Sequence, residues 1–365
     1  MFYKAIGLMS GSSLDGLDLV FVELQETGGE WTYTIHASAC YAYDQDWNDR
    51  LKNAIDLSAY EYLLLHCSYG KYIGEQVNRF IEEFGIEHQV QLIASHGHTS
   101  FHAPTLGMTG QLGDGATIAA ITGINVVSDL RMMDVALGGQ GAPIVPIGEK
   151  LLWKEYAYLL NLGGIANISA NRKEAPIAFD ICAANRVLNL LCNELGMQYD
   201  AGGATAATGN INTALLTALN NLPYYQQPYP KSLANNFGTD LVYPMIKNKS
   251  ISVPDALRTY TEHIAMQVGY AINLLHHEKP LTDSKLLITG GGTHNAFLVK
   301  RIATLISGYG IETIVPDKQL VDYKEAIIMA LLGVLRWREE NTVLHSVTGA
   351  KRSSIGGAVW IGQEA

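Results

Sequence analysis

The chain has 365 residues, 48% of them apolar and 16% charged, with a formal net charge of −10 at neutral pH. The length calls for two domains or one large α/β domain, and the apolar share excludes a disordered chain. The acidic balance argues against nucleic acid or an anionic membrane as the main partner. Cys40, Cys67, Cys182 and Cys192 form no CxxC pair, so no disulfide framework is expected and a reducing cytoplasm fits. No charged segment leads into a long apolar run at the N-terminus, and the longest apolar runs are too short for a membrane span, so neither a signal peptide nor a membrane helix is expected.

Residues 3–24 alternate apolar and polar across a glycine-rich turn, the pattern of a β-hairpin. Residues 31–43 read as a third strand, and 46–86 carry helical periodicity, as two helices. Residues 90–99 read as a buried strand ending in a polar loop, and 123–131 as another. Then the pattern restarts: "YAYLLNLGGIANISAN" (156–171) is a strand, a Gly-Gly turn and a strand. Residues 175–195 read as a strand meeting a helix at Asp180. Residues 205–221 look helical, and 223–232 form a Pro/Tyr-rich loop. A long helix over 254–277 opens at Pro254 and closes before Pro280. "KLLITGGGTHN" (285–295) is a strand running into three glycines, and 322–340 is a further helix. Each half therefore opens with strand, glycine turn, strand. Two similar α/β halves suit a nucleotide held in a cleft between domains that closes by a hinge. The patterning places the domain limit near residue 145.

Three glycine stretches carry phosphate chemistry. In "GLMSGSSLDGLD" (7–18), glycines let backbone N–H groups approach a phosphate, and Ser10, Ser12 and Ser13 can donate to its oxygens. Asp15 is the candidate ligand for a hydrated Mg²⁺, which takes one or two carboxylates plus water. The competing reading is a plain turn rich in turn formers. In "NLGGIANIS", Gly163, Gly164, Asn161 and Asn167 could face the remaining phosphates. "TGGGTHN", with Gly291 and Gly292, suits a flat ligand such as adenine. Together they point to a nucleoside triphosphate. No GxxxxGK[ST], no GxGxxG after a strand and no GxSxG occurs, which excludes a P-loop, a Rossmann site and a serine-hydrolase elbow.

Asp180 in "FDICAAN" is placed for a general base, with capping of the following helix as the alternative. Glu325 falls in a helix's first turn, where a favourable dipole contact is the plain explanation. "HGHTSFH" offers His96, His98 and His102. No thiolate or acidic cluster accompanies them, so hydrogen bonding to a polyhydroxylated ligand or to the loop backbone is favoured over a metal. Asp114 and Gln111 lie in another glycine turn. Arg131 could clamp a carboxylate, or pair with its neighbours Asp129 and Asp134.

These blocks, with "SHGHT", "LGDGATIA", "DLRMMDVALGGQGAPIVP", "YDAGGATAATG", "PKS", "KEAIIMALLG" and "VTGAKR", resemble the anhydro-N-acetylmuramic acid kinase family in order and approximate spacing, over nearly the whole chain. The resemblance implies a two-domain α/β protein of the acetate/sugar kinase–Hsc70–actin (actin-like ATPase) fold. Its domains would span 1–145, with 345–365 returning to it, and 146–344. It implies a cytoplasmic, homodimeric enzyme of peptidoglycan recycling. With ATP and Mg²⁺ such an enzyme opens 1,6-anhydro-N-acetylmuramic acid and phosphorylates O6. By position, Asp180 would be the catalytic base. Gly11, Ser12, Ser13, Leu14, Asp15, Gly16, Leu17 and Asp18 would hold ATP phosphates and Mg²⁺, with Gly163, Gly164, Asn167, Gly291 and Gly292. His96, His98, Asp114, Arg131, Asn185 and Glu325 would hold the sugar. The family's usual Thr-Gly-Pro-Gly-Asn after the base is here Ile181-Cys182-Ala183-Ala184-Asn185, His98 stands where Gln is usual, and "KSLANN" lacks a glycine–charged pair. Two alternatives stay open: a kinase or phosphohydrolase of another sugar, which the changed loop motivates, and a non-catalytic ATP-binding module, since fold does not fix function.

Overall fold

The computed structural model describes residues 1–11, 14–172, 175–234, 236–278 and 284–363. Its strands in chain order are β1 (Phe2–Ser10), β2 (Gly16–Thr27), β3 (Glu30–Ala42), β4 (Leu92–Ala103), β5 (Met108–Leu112) and β6 (Val126–Ser128), then β7 (Tyr158–Leu162), β8 (Ile165–Ala170), β9 (Ile177–Ala183), β10 (Lys285–Thr289), β11 (Glu312–Ile314) and β12 (Ala358–Trp360). Backbone packing groups the chain into two compact units, Met1–Trp153 with Tyr323–Ala365, and Lys154–Asp322. The chain therefore passes between them at 153/154 and 322/323, where the patterning placed the first limit near 145 and the resemblance implied a return at 345.

In the first unit the sheet order is β12-β6-β4-β1-β2-β3, with β5 paired to β4. β1, β2 and β3 are antiparallel, whereas β4 runs parallel to β1 and β6 parallel to β4. In the second unit the order is β11-β10-β7-β8-β9. Again the first three strands are antiparallel and the next two parallel. Each unit thus repeats one topology: a three-stranded meander whose first strand is also flanked by a parallel strand. Two mixed α/β units of this shared order make up the actin-like ATPase fold.

Alternation explains the first unit's core. Ile6 and Leu8 of β1, and Leu17, Leu19 and Phe21 of β2, pack with Ile73, Val77 and Phe80 of the helix Ala59–Phe84. That helix begins at Ser58, which forms a capping box with Glu61, and stops at Gly85 in the left-handed region, φ +60°. The opposite face of β1 is covered by the helix Lys318–Trp337. A Cβ on Gly7 would lie 1.9 Å from the Ala326 carbonyl oxygen, and one on Gly333 would lie 2.5 Å from Ala94 Cβ. Burial on both faces from Ala5 to Leu8 is why apolar residues stand at successive positions there, breaking the alternation expected over 3–24. The second core packs Leu160, Ile168 and Phe179 with Leu257, Tyr260, Ile264 and Val268 of the helix Val253–Glu278.

Several elements differ from the sequence reading. The strand expected over 123–131 is confined to Val126–Ser128, and the helix expected over 205–221 is two, Ala204–Thr208 and Thr213–Asn220. β9 does not end at Asp180 but runs to Ala183, and the next helix is Asn185–Asn193. Short elements such as β5, β12 and the helix Gly115–Thr122 lack enough periods to register as a pattern.

Because Gly7 is seated on helix main chain, Gly7→Ala has no flexible neighbour to displace. The expected result is a loss on the order of 2–4 kcal/mol in urea unfolding; an unchanged midpoint would show that the helix can lift off β1.

Candidate active site

In the second unit, strand register lines up polar residues from four neighbouring strands. Thr289 of β10 pairs with Asn161 of β7, Asn161 with Asn167 of β8, and Asn167 with Asp180 of β9. Directly paired residues present their side chains on one face of a sheet. The row ends beside the β7–β8 turn, Gly163–Gly164.

Asp180 is held closely. Its Oδ2 accepts from the Leu233 amide at 2.8 Å and from Ser232 Oγ at 3.1 Å. Its amide donates to the Lys231 carbonyl at 3.1 Å, and its own carbonyl accepts from Tyr224 OH at 2.6 Å. Among the described residues Oδ1 takes no hydrogen bond. Burial raises the Asp180 pKa, against the lowering by Leu233 and Ser232. The capping alternative falls away, since the next helix has Ala184 at its N-cap with no side-chain cap bond. The changed run Ile181–Ala184 is buried in the unit's core, and none of its residues has a positive φ.

The glycines of this unit separate into two kinds. A Cβ on Gly290 (φ +84°) would meet Asn161 Oδ1 at 2.3 Å, and one on Gly292 would meet Leu162 Cβ at 2.7 Å. These are packing positions. Gly164 and Gly291 are less crowded, since the nearest atoms, of Arg186 and Asn185, would lie at 3.8 and 4.0 Å, while at Gly163 the Ile165 carbonyl oxygen would lie at 3.3 Å. Asn185 ties the stretches together: its Nδ2 donates to the Leu162 carbonyl at 2.9 Å, and its amide donates to Gly163 O at 3.1 Å. The structure gives Asn185 this strapping role.

In the first unit, Ser12 and Ser13 lie outside the described residues. Around them, Leu14 adopts φ +59°, a strained conformation for a branched residue, while its side chain packs on the core. Asp15 is exposed at the tip and Gly11 and Asp18 are partly buried. Gly16 is required, because a Cβ would lie 2.6 Å from the Tyr41 carbonyl oxygen. Leu17 is a core residue whose main chain pairs with Ser10 and Tyr41, so it anchors the hairpin. Ser10, read from sequence as a phosphate donor, is buried beneath the turn. Tyr43 OH donates to Ser10 Oγ at 2.8 Å, and Ser10 Oγ lies 3.0 Å from His98 Nδ1. Tyr69 joins through Tyr43. Tyr69, Tyr43, Ser10 and His98 form one buried hydrogen-bonded chain, and with the imidazole proton on Nε2 Ser10 donates to Nδ1. Burial pushes the His98 pKa down to about 4.

His96 is buried as well, and its pKa is pushed to about 3 by burial and then by Arg131. Its Nδ1 donates to Gly97 O at 2.8 Å, so Nε2 accepts from Arg131 Nε at 2.8 Å. Arg131 Nη1 donates to Gly141 O at 2.7 Å. Burial lowers the Arg131 pKa to about 10, with Glu325 and Asp134 opposing, so the guanidinium stays charged at neutral pH. Glu325 is raised by burial and pulled back by Lys324 and Arg131. His96 therefore orients Arg131. Asp134 accepts from the Gly141 amide at 2.8 Å and from Thr348 Oγ1 at 2.7 Å, pinning the loop that receives Arg131. Asp114 caps the helix Gly115–Thr122 through the Thr117 amide at 2.8 Å and also bonds the Thr117 hydroxyl. Both bonds fall on Oδ2, and Oδ1 lies 3.9 Å from His66 Nε2. Among the described residues no group of three or more His, Cys, Asp or Glu is placed to hold a metal, and no helix is long and apolar enough to cross a membrane.

Sequence reasoning assigned no role to Tyr224, Ser232, Leu233, Thr289 or Tyr43. Ser232 is 52 residues from Asp180, and no period links them. The "PKS" block was the only signal.

The duplicated sheet, the hydroxyl- and glycine-bearing hairpin of one unit and the polar row ending in Asp180 of the other define a protein of the actin-like ATPase class. Comparison narrows this. The family described as anhydro-N-acetylmuramic acid kinase matches residues 3–362. A relative of that name from Hydrogenovibrio crunogenus is 32% identical, over 97% of each chain. Those from Aliivibrio fischeri (33%, covering 98% of this chain and 99% of the relative) and Xylella fastidiosa (34%, covering 97% and 95%) carry the same name. The chain belongs to the anhydro-N-acetylmuramic acid kinase family.

His96 and His98 are neutral in the fold, whereas in the unfolded chain each takes a proton near the ordinary value of about 6.5. Stability should therefore fall as pH drops below about 6.5, by about 1.4 kcal/mol per pH unit for each histidine, until its folded pKa is reached. Urea unfolding at pH 7, 6 and 5 measures this slope. His98→Gln should make it shallower by one proton; an unchanged slope would mean that His98 is charged in the fold.

Proposed function

We propose that the protein is an ATP-dependent kinase that hydrolytically opens 1,6-anhydro-N-acetylmuramic acid and phosphorylates O6, giving N-acetylmuramic acid 6-phosphate in peptidoglycan recycling. The observation that carries the chemistry is Asp180, with Oδ2 loaded by two donors, Oδ1 open and its pKa raised by burial. A base is most effective when its pKa approaches the working pH. Oδ1 takes a proton from water as the water oxygen bonds to the anomeric carbon. The C1–O6 bond breaks, and O6 attacks the γ-phosphorus of ATP as the bond to ADP breaks. Family membership supports both the substrate and the use of ATP.

Phosphoryl transfer is mostly positioning and charge stabilisation. The Gly163–Gly164 turn and the uncrowded Gly291 fit phosphate binding, and the glycines and hydroxyls in the Gly11–Asp18 sequence supply donors of the same kind. The exposed Asp15 fits a Mg²⁺ that keeps most of its waters. Such an ion would neutralise phosphate charge when bound. Arg131, with two of its donors fixed by His96 and Gly141, suits a sugar carboxylate, and Glu325 and His98 Nε2 suit sugar hydroxyls. The family resemblance further supports a cytoplasmic homodimer.

Incubation with Mg-ATP and the anhydro sugar in ¹⁸O-labelled water tests the reading by mass spectrometry. The product should carry one phosphoryl group and one labelled oxygen. Asp180→Asn should bind ATP normally and lose about 10²–10⁴-fold in turnover. Near-normal turnover would remove Asp180 from its role, and phosphorylation of an ordinary hexose in preference would reassign the substrate.

A further inference from the structure

A base that works through one oxygen needs the other held, and the segment after the Pro/Tyr-rich turn does this. Asp180 gives its amide proton to Lys231 O, takes the Leu233 amide on Oδ2 at 2.8 Å, and takes Ser232 Oγ on the same oxygen at 3.1 Å. Tyr224, from the turn Pro223–Gln226, fixes the Asp180 carbonyl at 2.6 Å. Both carboxylate donors thus converge on Oδ2, and none of the described residues donates to Oδ1. We propose that Ser232 is a positioning residue for the Asp180 base: with the Leu233 amide it occupies Oδ2, so that Oδ1 is the oxygen that receives the proton. This rests on the reading of Asp180 as the base.

Ser232 is exposed, so removing its hydroxyl opens no hole in the core. The amide of Leu233 cannot be removed by a side-chain change, which makes Ser232 the adjustable half of the clamp. A hydroxyl donating to a carboxylate favours its ionised form, so truncation should raise the proton affinity of Asp180. The neighbouring groups do not confuse this readout. Burial holds the Cys182 thiol and the Tyr224, Tyr225 and Tyr260 phenols above their ordinary values, so none changes charge on the acid side. Lys231, lowered by burial, bears on the alkaline side, and β8 presents the uncharged Asn167.

The experiment is a ¹³C-carboxyl NMR titration of the full chain labelled at aspartate, with the Asp180 signal assigned by its loss in Asp180→Asn. Beside it runs the pH dependence of kcat/KM. In Ser232→Ala the Asp180 titration should move up by about one pH unit, about tenfold in proton affinity. The acid limb of the rate profile should move with it, kcat should fall about tenfold, and ATP affinity should hold. Ser232→Thr, which keeps the hydroxyl, should restore both. An Asp180 titration that stays put in Ser232→Ala overturns the clamp. A titration that moves while the acid limb stays retains the clamp and instead removes Asp180 as the base.

Discussion

Strand register is the constraint on which the rest depends. In each unit the meander's first strand is shared between an antiparallel and a parallel neighbour. That sharing fixes which residues stand side by side across the sheet. A shift of one residue would send every side chain to the opposite face. In the second unit such a slip would turn Asn161, Asn167 and Asp180 into the core and bring apolar neighbours out. The apolar pattern that packs Leu160, Ile168 and Phe179 therefore also sets where the carboxylate points. Core and site are specified by the same alternation.

The price of that placement is desolvation. A buried polar group without a partner costs about 1–3 kcal/mol, and more if charged. Here the partners are supplied locally. Asp180 leans on a main-chain amide and a serine. Arg131 leans on a neutral histidine and a carbonyl, and Ser10 on a tyrosine and a histidine. Keeping the histidines neutral is part of this arrangement, because a protonated His96 would set a second cation against the Arg131 guanidinium. The same lone pair on Nε2 that accepts from Arg131 would be lost.

Much of the fold was legible, for physical reasons that also explain what was not. The meanders, the two long helices and the glycine turns carry strong local periodicity or turn chemistry, and they stand where the pattern placed them. The site was legible to the extent that one stretch carried it, as at Asp180 and Arg131. Roles that depend on distant partners were hidden. Whether Ser10 faces a ligand or the hairpin's underside is decided by Tyr43, just past the end of β3, and His98, on β4. The glycines of "TGGGTHN" look alike in sequence, but a Cβ on Gly292 would press on Leu162 at 2.7 Å while one on Gly291 would meet Asn185 Nδ2 no closer than 4.0 Å.

The first unit is discontinuous in sequence, and its sheet is completed by β12, which pairs with β6 and whose Trp360 Nε1 donates to Ser128 Oγ at 3.0 Å. The second unit, Lys154–Asp322, is one unbroken stretch. During synthesis, β1 to β6 emerge first but must wait for the whole of the second unit before the covering helix and the last strand exist. Domains generally fold as units during synthesis. The second unit can therefore close its core while the first, though made earlier, still exposes β1's uncovered face and the β6 edge. The half that begins the chain is the half that finishes folding, and it is the one whose nascent surface calls for protection from aggregation.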